Sequence, residues 1–277
     1  MHAQDEYFES GETRLRFRDE GAGSALVFIH GWTLDLEVWN PQAAALAGPL
    51  RVVRYDRRGF GLSDGAPGIA ADLEDLARLL DRLELVTPTL VGQSQGARVA
   101  LAFALRQPER VAGLVLDGPP DEIGEPTAVG DEDFSIAEYR ALVRDRGVEA
   151  FRDSWRAHPL MRLYGSNPAA AELIGRMLAR YPARDLQAPA ASPPPPAGPS
   201  ALARFAKPVL VVNGEFDTPI RRRAGEALAR ALSLARALSL AERLVLTRAG
   251  HLPNLDNANA YNEAIQDFLR RQSRAAA

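Results

Sequence analysis

The chain has 277 residues, 46% hydrophobic and 25% charged, which is apolar material enough for a sizeable core and the balance of an ordinary globular protein. A net charge of −3, with Lys and Arg scattered along the chain, leaves no basic segment to hold DNA or RNA, so no nucleic-acid partner is expected. The absence of cysteine excludes disulfides, thiolate metal sites and a cysteine nucleophile.

The acidic start MHAQDEYFESGE lacks an apolar centre and no apolar run reaches transmembrane length, so a cytoplasmic protein away from membranes is expected. Residues 6–8 and 13–18 flank Ser10-Gly11-Glu12, and alternation of Leu15 and Phe17 with arginines predicts an edge hairpin with one wet face. Residues 25–29 are continuously apolar, as in a strand buried on both faces of a parallel sheet. They end in His30-Gly31-Trp32, after which residues 37–46 predict a short helix carrying Trp39. Another strand, residues 50–55, runs into the charged, glycine-containing loop 56–64. Leu73, Leu76, Leu79, Leu80 and Leu83 recur at steps of three and four, so residues 69–83 read as an amphipathic helix.

Residues 89–105, TLVGQSQGARVALAFAL, read as strand, sharp turn and helix around Gly92-Gln93-Ser94-Gln95-Gly96. A further strand follows at 111–116. Strand and helix thus alternate, which calls for an α/β architecture: a parallel sheet with helices on both faces. From 121 to 200 the alternation stops, and helical patterns at 135–146, 148–157 and 169–180 follow one another without a strand. The Pro-rich run 188–199 cannot be helical and predicts an extended return strap. The expected division is therefore a core of residues 1–120 and 201–277 and a helical insertion of residues 121–200. The sheet resumes at 208–212, followed by a helix at 220–234, a strand at 243–247, a loop through His251 and a helix at 257–271. The sequence RALSLA occurs twice in succession at 230–241. Six residues advance a helix by about 600°, turning the second apolar side roughly 120° from the first, so a break near 235–241 is expected.

Gly-x-Ser-x-Gly between strand and helix is the pattern that lifts a serine hydroxyl clear of a sheet, which makes Ser94 the candidate nucleophile. A serine hydroxyl needs a base to take its proton. His251, just past the last strand, is the candidate; His158 in the insertion and His2 near the start are less well placed, and the His30 ring is expected to shape its own loop. No two histidines show a metal-binding spacing, so neither metal nor cofactor is expected. Asp217, in the turn after the penultimate strand, is the candidate to orient the base, with Asp117 as competitor at the end of the strand before it. Donors for an oxyanion would be the backbone N–H groups of Gln95 and Trp32.

The segments HGW, YDRRGFGLSD, GQSQG, GEFDTP and AGH, in this order across nearly the whole chain, resemble the α/β-hydrolase superfamily. Within it, HGWTLDLEVW and YDRRGFGLSD look like the branch of small bacterial esterases, enol-lactonases and cofactor-free haloperoxidases. The resemblance implies a mostly parallel eight-stranded sheet, Ser94, Asp217 and His251 as catalytic triad, and residues 121–200 as a cap over the substrate pocket. That pocket is expected to be lined by His30, Gly31, Trp32, Gln93, Trp155, Leu160, Met161 and Leu252. Gln93 and Gln95 depart from the His or Asn and the Met that many relatives carry beside the serine. A serine at the elbow also argues against the haloalkane dehalogenases and epoxide hydrolases, which use aspartate. The expected activity is hydrolysis of small to medium acyl or aryl esters, by a monomer or a homodimer. Lactone or carbon–carbon bond hydrolysis on the same triad is the alternative, and a non-catalytic ligand receptor is the alternative of another class.

Overall fold

The computed structural model describes residues 4–121, 134–165, 167–188, 197–202, 204–234 and 241–276. Along the chain run β1 (Glu6–Ser10), β2 (Thr13–Glu20), β3 (Ser24–Ile29), α1 (Asn40–Leu46), β4 (Leu50–Tyr55), α2 (Ile69–Arg82), β5 (Thr89–Gln93), α3 (Gln95–Arg106) and β6 (Gly113–Asp117). There follow α4 (Ile136–Arg156), α5 (Pro168–Arg180), α6 (Arg184–Gln187), α7 (Gly198–Leu202), β7 (Val209–Gly214), α8 (Pro219–Leu234), β8 (Ala241–Leu246), α9 (Pro253–Asp256) and α10 (Ala258–Ala276). Among the described residues the strands form one eight-stranded sheet in the order β1-β2-β4-β3-β5-β6-β7-β8. β2 pairs antiparallel with both β1 and β4, and every other pairing is parallel.

The side-chain alternation of the strands sorts the core into two layers. Leu26, Phe28, Val52, Val91, Val115 and Val212 face α1 and α10, packing on Trp39, Leu46, Tyr261 and Phe268. Val27, Ile29, Val53, Leu90, Leu114 and Val211 face α2, α3 and α8, packing on Leu76, Leu80, Phe103 and Leu228. Burial on both faces is why these strands read as unbroken apolar runs. The first layer continues without interruption into Phe151, Trp155, Leu173 and Met177, so α4 and α5 rest on the same apolar surface. No helix of the described residues is long and apolar enough to cross a membrane.

Some expectations change on the structure. The face of β2 that carries the arginines is wet only in part: Arg14 is exposed, but the Arg16 guanidinium is fully buried, 3.2 Å from Asp5, 3.1 Å from Glu37 and 3.4 Å from Asp56, because acidic neighbours replace water. The helical segments expected at 135–146 and 148–157 are both present within α4, separated at Gly147, whose φ 81° and ψ 171° are not helical. The helix expected from residue 37 opens as a single 3₁₀ turn, Leu36–Trp39, before α1. The expected break in the repeated RALSLA falls on undescribed residues, 235–240, as do residues 189–196 of the Pro-rich run, while its end, residues 198–199, expected to be non-helical, opens α7, where a proline in the first turn needs no N–H.

Candidate active site

Strand β5 ends at Gln93 and the chain turns through Ser94, at φ 52° and ψ −116°, into α3. Only close backbone approach permits this turn. A Cβ on Gly96 would lie 2.1 Å from the Ile29 carbonyl oxygen, so glycine is required where helix meets strand. The left-handed φ at a non-glycine residue stores strain of about 1–3 kcal/mol, held by the packing around it. The Ser94 amide donates to the Asp117 carbonyl at 2.7 Å, while its hydroxyl makes no capping bond to α3.

Neighbouring strands β7 and β8 deliver the other two groups from the same edge of the sheet. His251 Nδ1 donates to Asp217 Oδ1 at 3.0 Å, and the Thr218 amide donates to that oxygen at 2.8 Å. Burial alone would raise the Asp217 pKa, but His251 and the bonds from it and from Thr218 overcome this and hold the carboxyl below its usual range. Facing an ionised carboxylate, Nδ1 carries the proton and Nε2 keeps the lone pair a base needs. The imidazole loop is braced twice. Gln93 Nε2 donates to the His251 carbonyl at 3.3 Å, and Asp256 accepts from Gly250 at 2.8 Å and from Tyr164 and Gly165 at 2.6 and 2.9 Å.

Ser94 and His251 share the wall of one cavity of about 20 Å³, little more than a single water needs. Its other walls include the expected Trp32, Gln93, Trp155, Leu160, Met161 and Leu252. Two expected members are absent from it. His30 is fully buried behind the cavity, donating from Nδ1 to the Gly31 carbonyl at 2.8 Å and accepting the Arg57 amide at Nε2 at 2.9 Å. Burial, then the neighbouring Arg57, push its pKa well below the usual histidine value, so the ring is a neutral structural link between two loops. Gly31 lies against the Gln93 side chain, where a Cβ would stand 2.0 Å from Oε1.

The Gln95 N–H opens α3 and has no acceptor within the helix, as the first residues of any helix lack one. The Gln95 side chain is held by the buried Arg57, which donates to Oε1 at 2.8 Å and to Asp72 at 2.5 Å. Among the described residues, no cluster of His, Cys, Asp or Glu is arranged to hold a metal ion.

Residues 26–264 match the model of the alpha/beta hydrolase family. The chain belongs to the α/β-hydrolase family. A 2-hydroxy-6-oxononadienedioate/2-hydroxy-6-oxononatrienedioate hydrolase of Burkholderia vietnamiensis is 30% identical over 94% of this chain and 92% of its own. A pimeloyl-[acyl-carrier protein] methyl ester esterase of Pectobacterium carotovorum subsp. carotovorum is 28% identical over 92% of this chain and 98% of its own. Among solved structures, a thermophilic esterase from Thermogutta terrifontis superposes with a TM-score of 0.80 at 29% identity, covering 98% of this chain and 99% of that one. These relatives make this α/β hydrolase a hydrolytic enzyme of the small bacterial branch.

Asp117 and His158 in this α/β hydrolase fall outside the cavity. Asp117 makes no bond to His251. His158 caps a 3₁₀ turn, accepting from the Leu160 amide at 3.2 Å, with its ring stacked 4.7 Å from Trp155. His2 lies outside the described residues. Sequence reasoning missed Leu34 and Phe134 in the wall and Asp185 behind it. Phe134 had one usable signal, an aromatic side chain directly before the helix cap Ser135.

Proposed function

We propose that the chain is a serine carboxylic-ester hydrolase for short, uncharged acyl groups, with Ser94, His251 and Asp217 as its triad and residues 121–200 as its cap. The observation that carries this reading is the elbow serine and the carboxylate-held imidazole opening into the same apolar cavity. His251 Nε2 takes the Ser94 proton as Oγ attacks the ester carbonyl. The N–H groups of Gln95 and Trp32 receive the oxyanion, each worth roughly 3–4 kcal/mol in the transition state. His251 then protonates the leaving alkoxide, and water, deprotonated by the same nitrogen, attacks the acyl-enzyme. Asp217 keeps the imidazolium oriented throughout.

The walls favour a neutral acyl group. Among the described residues that line the cavity none is cationic, while Trp32, Phe134, Trp155, Leu160 and Met161 are apolar. The Burkholderia relative, by its name, acts on dienedioates, and two carboxylates would need cations that this lining lacks. The small volume supports short acyl chains.

A fluorophosphonate should label the protein and fail to label Ser94→Ala. Steady-state rates should then rank p-nitrophenyl acetate above a simple lactone and a ring-cleavage dione. Fast turnover of the dione beside negligible ester turnover would reverse the reading, and labelling with no turnover of any of the three would favour a receptor.

A further inference from the structure

The loop after β3 carries the Trp32 N–H. Trp32 and Thr33 form a turn outside any strand or helix. Thr33 sits at φ 64°, a conformation a β-branched residue adopts only under outside restraint. That restraint comes from the helices between β6 and β7. Trp32 Nε1 donates to Asp185 Oδ2 at 2.5 Å, and Trp155 Nε1 donates to Thr33 Oγ1 at 2.8 Å. Two consecutive loop residues are thus tied to α6 and α4 by bonds running in opposite directions.

Asp185 is itself fixed. The Tyr181 hydroxyl donates to Oδ1, and Arg140 donates to the Asp185 carbonyl at 2.8 Å. Indole N–H to carboxylate is a charge-assisted bond, stronger than the neutral kind. The Trp32 ring is also clasped, 4.8 Å from Trp155 edge-on and 5.0 Å from Phe134 face-on, so it cannot turn without moving its backbone or its neighbours.

We propose that Asp185 is a positioning residue for the oxyanion hole: it holds the Trp32 indole so that the Trp32 backbone N–H stays aimed at the substrate oxygen. The role rests on the ester-hydrolase reading above. Docking of the helical insertion and competence of the oxyanion hole then become one event. A displaced donor is weaker in the transition state and nearly unchanged in the ground state, so the loss falls on kcat.

The test compares Asp185→Ala, Asp185→Asn and Thr33→Val with the wild type on p-nitrophenyl acetate, alongside inhibition by phenylboronic acid, whose tetrahedral adduct on Ser94 occupies the oxyanion hole. Asp185→Ala should lower kcat about tenfold, less than outright loss of a donor, with KM moved less than about threefold and boronate inhibition weakened in proportion to kcat. Asp185→Asn keeps an oxygen for the indole and should recover most of the loss. Thr33→Val removes the second tie without touching Asp185 and should move kcat the same way, which decides the matter if Asp185→Ala does not fold. Unchanged kcat and boronate inhibition in the folded variants, or a rise in KM alone, overturns the proposal while leaving the hydrolase reading intact. Failure of the wild type to take the fluorophosphonate label removes that reading, and this role with it.

Discussion

Asp117 and Asp217 end adjacent strands with the same side chain and opposite electrostatics. Asp217 holds a proton less readily than a free carboxyl because His251 faces it. Asp117 is fully buried, and burial, then the charge of Asp217, push its pKa well above the usual value despite the nearby Tyr261 hydroxyl. Asp217→Asn should therefore fix the wrong imidazole tautomer and cut kcat by roughly 10⁴. Asp117→Asn should leave turnover of p-nitrophenyl acetate intact, since an amide imitates the neutral acid. A raised pKa in the folded state stabilises below the unfolded value, 3.8, and that contribution drains away as pH rises above it. The Asn variant escapes this loss, so its Tm should exceed the wild-type value at pH 7, the gap closing towards about pH 4. Lost turnover in Asp117→Asn with Asp217→Asn still active would exchange their roles.

At the scale of elements, what was readable in the sequence was whatever leaves a local trace. The apolar runs of β3, β5, β6 and β7 announce a buried parallel sheet, and strand, Gly-x-Ser-x-Gly and helix announce the elbow, because each pattern spans one element and its turn. That Ser94, Asp217 and His251 lie at strand ends was readable for the same reason. Asp185 beside Trp32 was not, since a contact across 153 residues has no period to detect. Buried Arg16 misled in the opposite direction: alternation with apolar neighbours marks a face, and only tertiary structure reveals that acids, not water, meet it. Gly147 lies between. The sequence separates two helical patterns around it and the structure breaks the helix there, but the φ of 81° and ψ of 171° that make the break, nearly exclusive to glycine, leave no periodic trace. Gly147→Ala has free space for its methyl group, so only backbone strain opposes it. It should destabilise the fold by about 1–3 kcal/mol, seen as a lower Tm. A higher Tm would mean that a straight α4 fits as well as the bent one.

For the whole molecule, one charge cluster spans the sheet edge, two loops and the helical insertion. Arg16 on β2 meets Asp5, Glu37 and Asp56, Arg18 meets Asp5, and Arg180 on α5 meets Asp35 at 2.7 Å and Glu37 at 3.0 Å. Three guanidinium groups thus face four carboxylates, one positive charge short, and Arg16, Asp35 and Asp56 are shut off from water while Asp5 and Arg180 reach it. Burial raises both dry carboxyls of the cluster, Asp35 and Asp56, and for Asp56 burial, then repulsion from Asp35, push the value up to about 7 against the pull of Arg16. Its oxygens also accept the Leu36 and Leu62 amides at 2.8 and 2.7 Å, so the same carboxyl shapes the loop after β3 and the loop after β4. Because the folded value lies above the unfolded 3.8, the stabilisation is complete below that value and is lost as pH climbs through about 7. Asp56→Asn gives up one amide acceptor, a fixed penalty that does not vary with pH, and removes the titration. Plotted against pH, the Tm of the variant relative to wild type should rise from about pH 4 to about pH 7 and then level off. A flat difference across that window would mean that the surplus proton resides elsewhere, and that Arg180 and Arg16 balance the cluster without it.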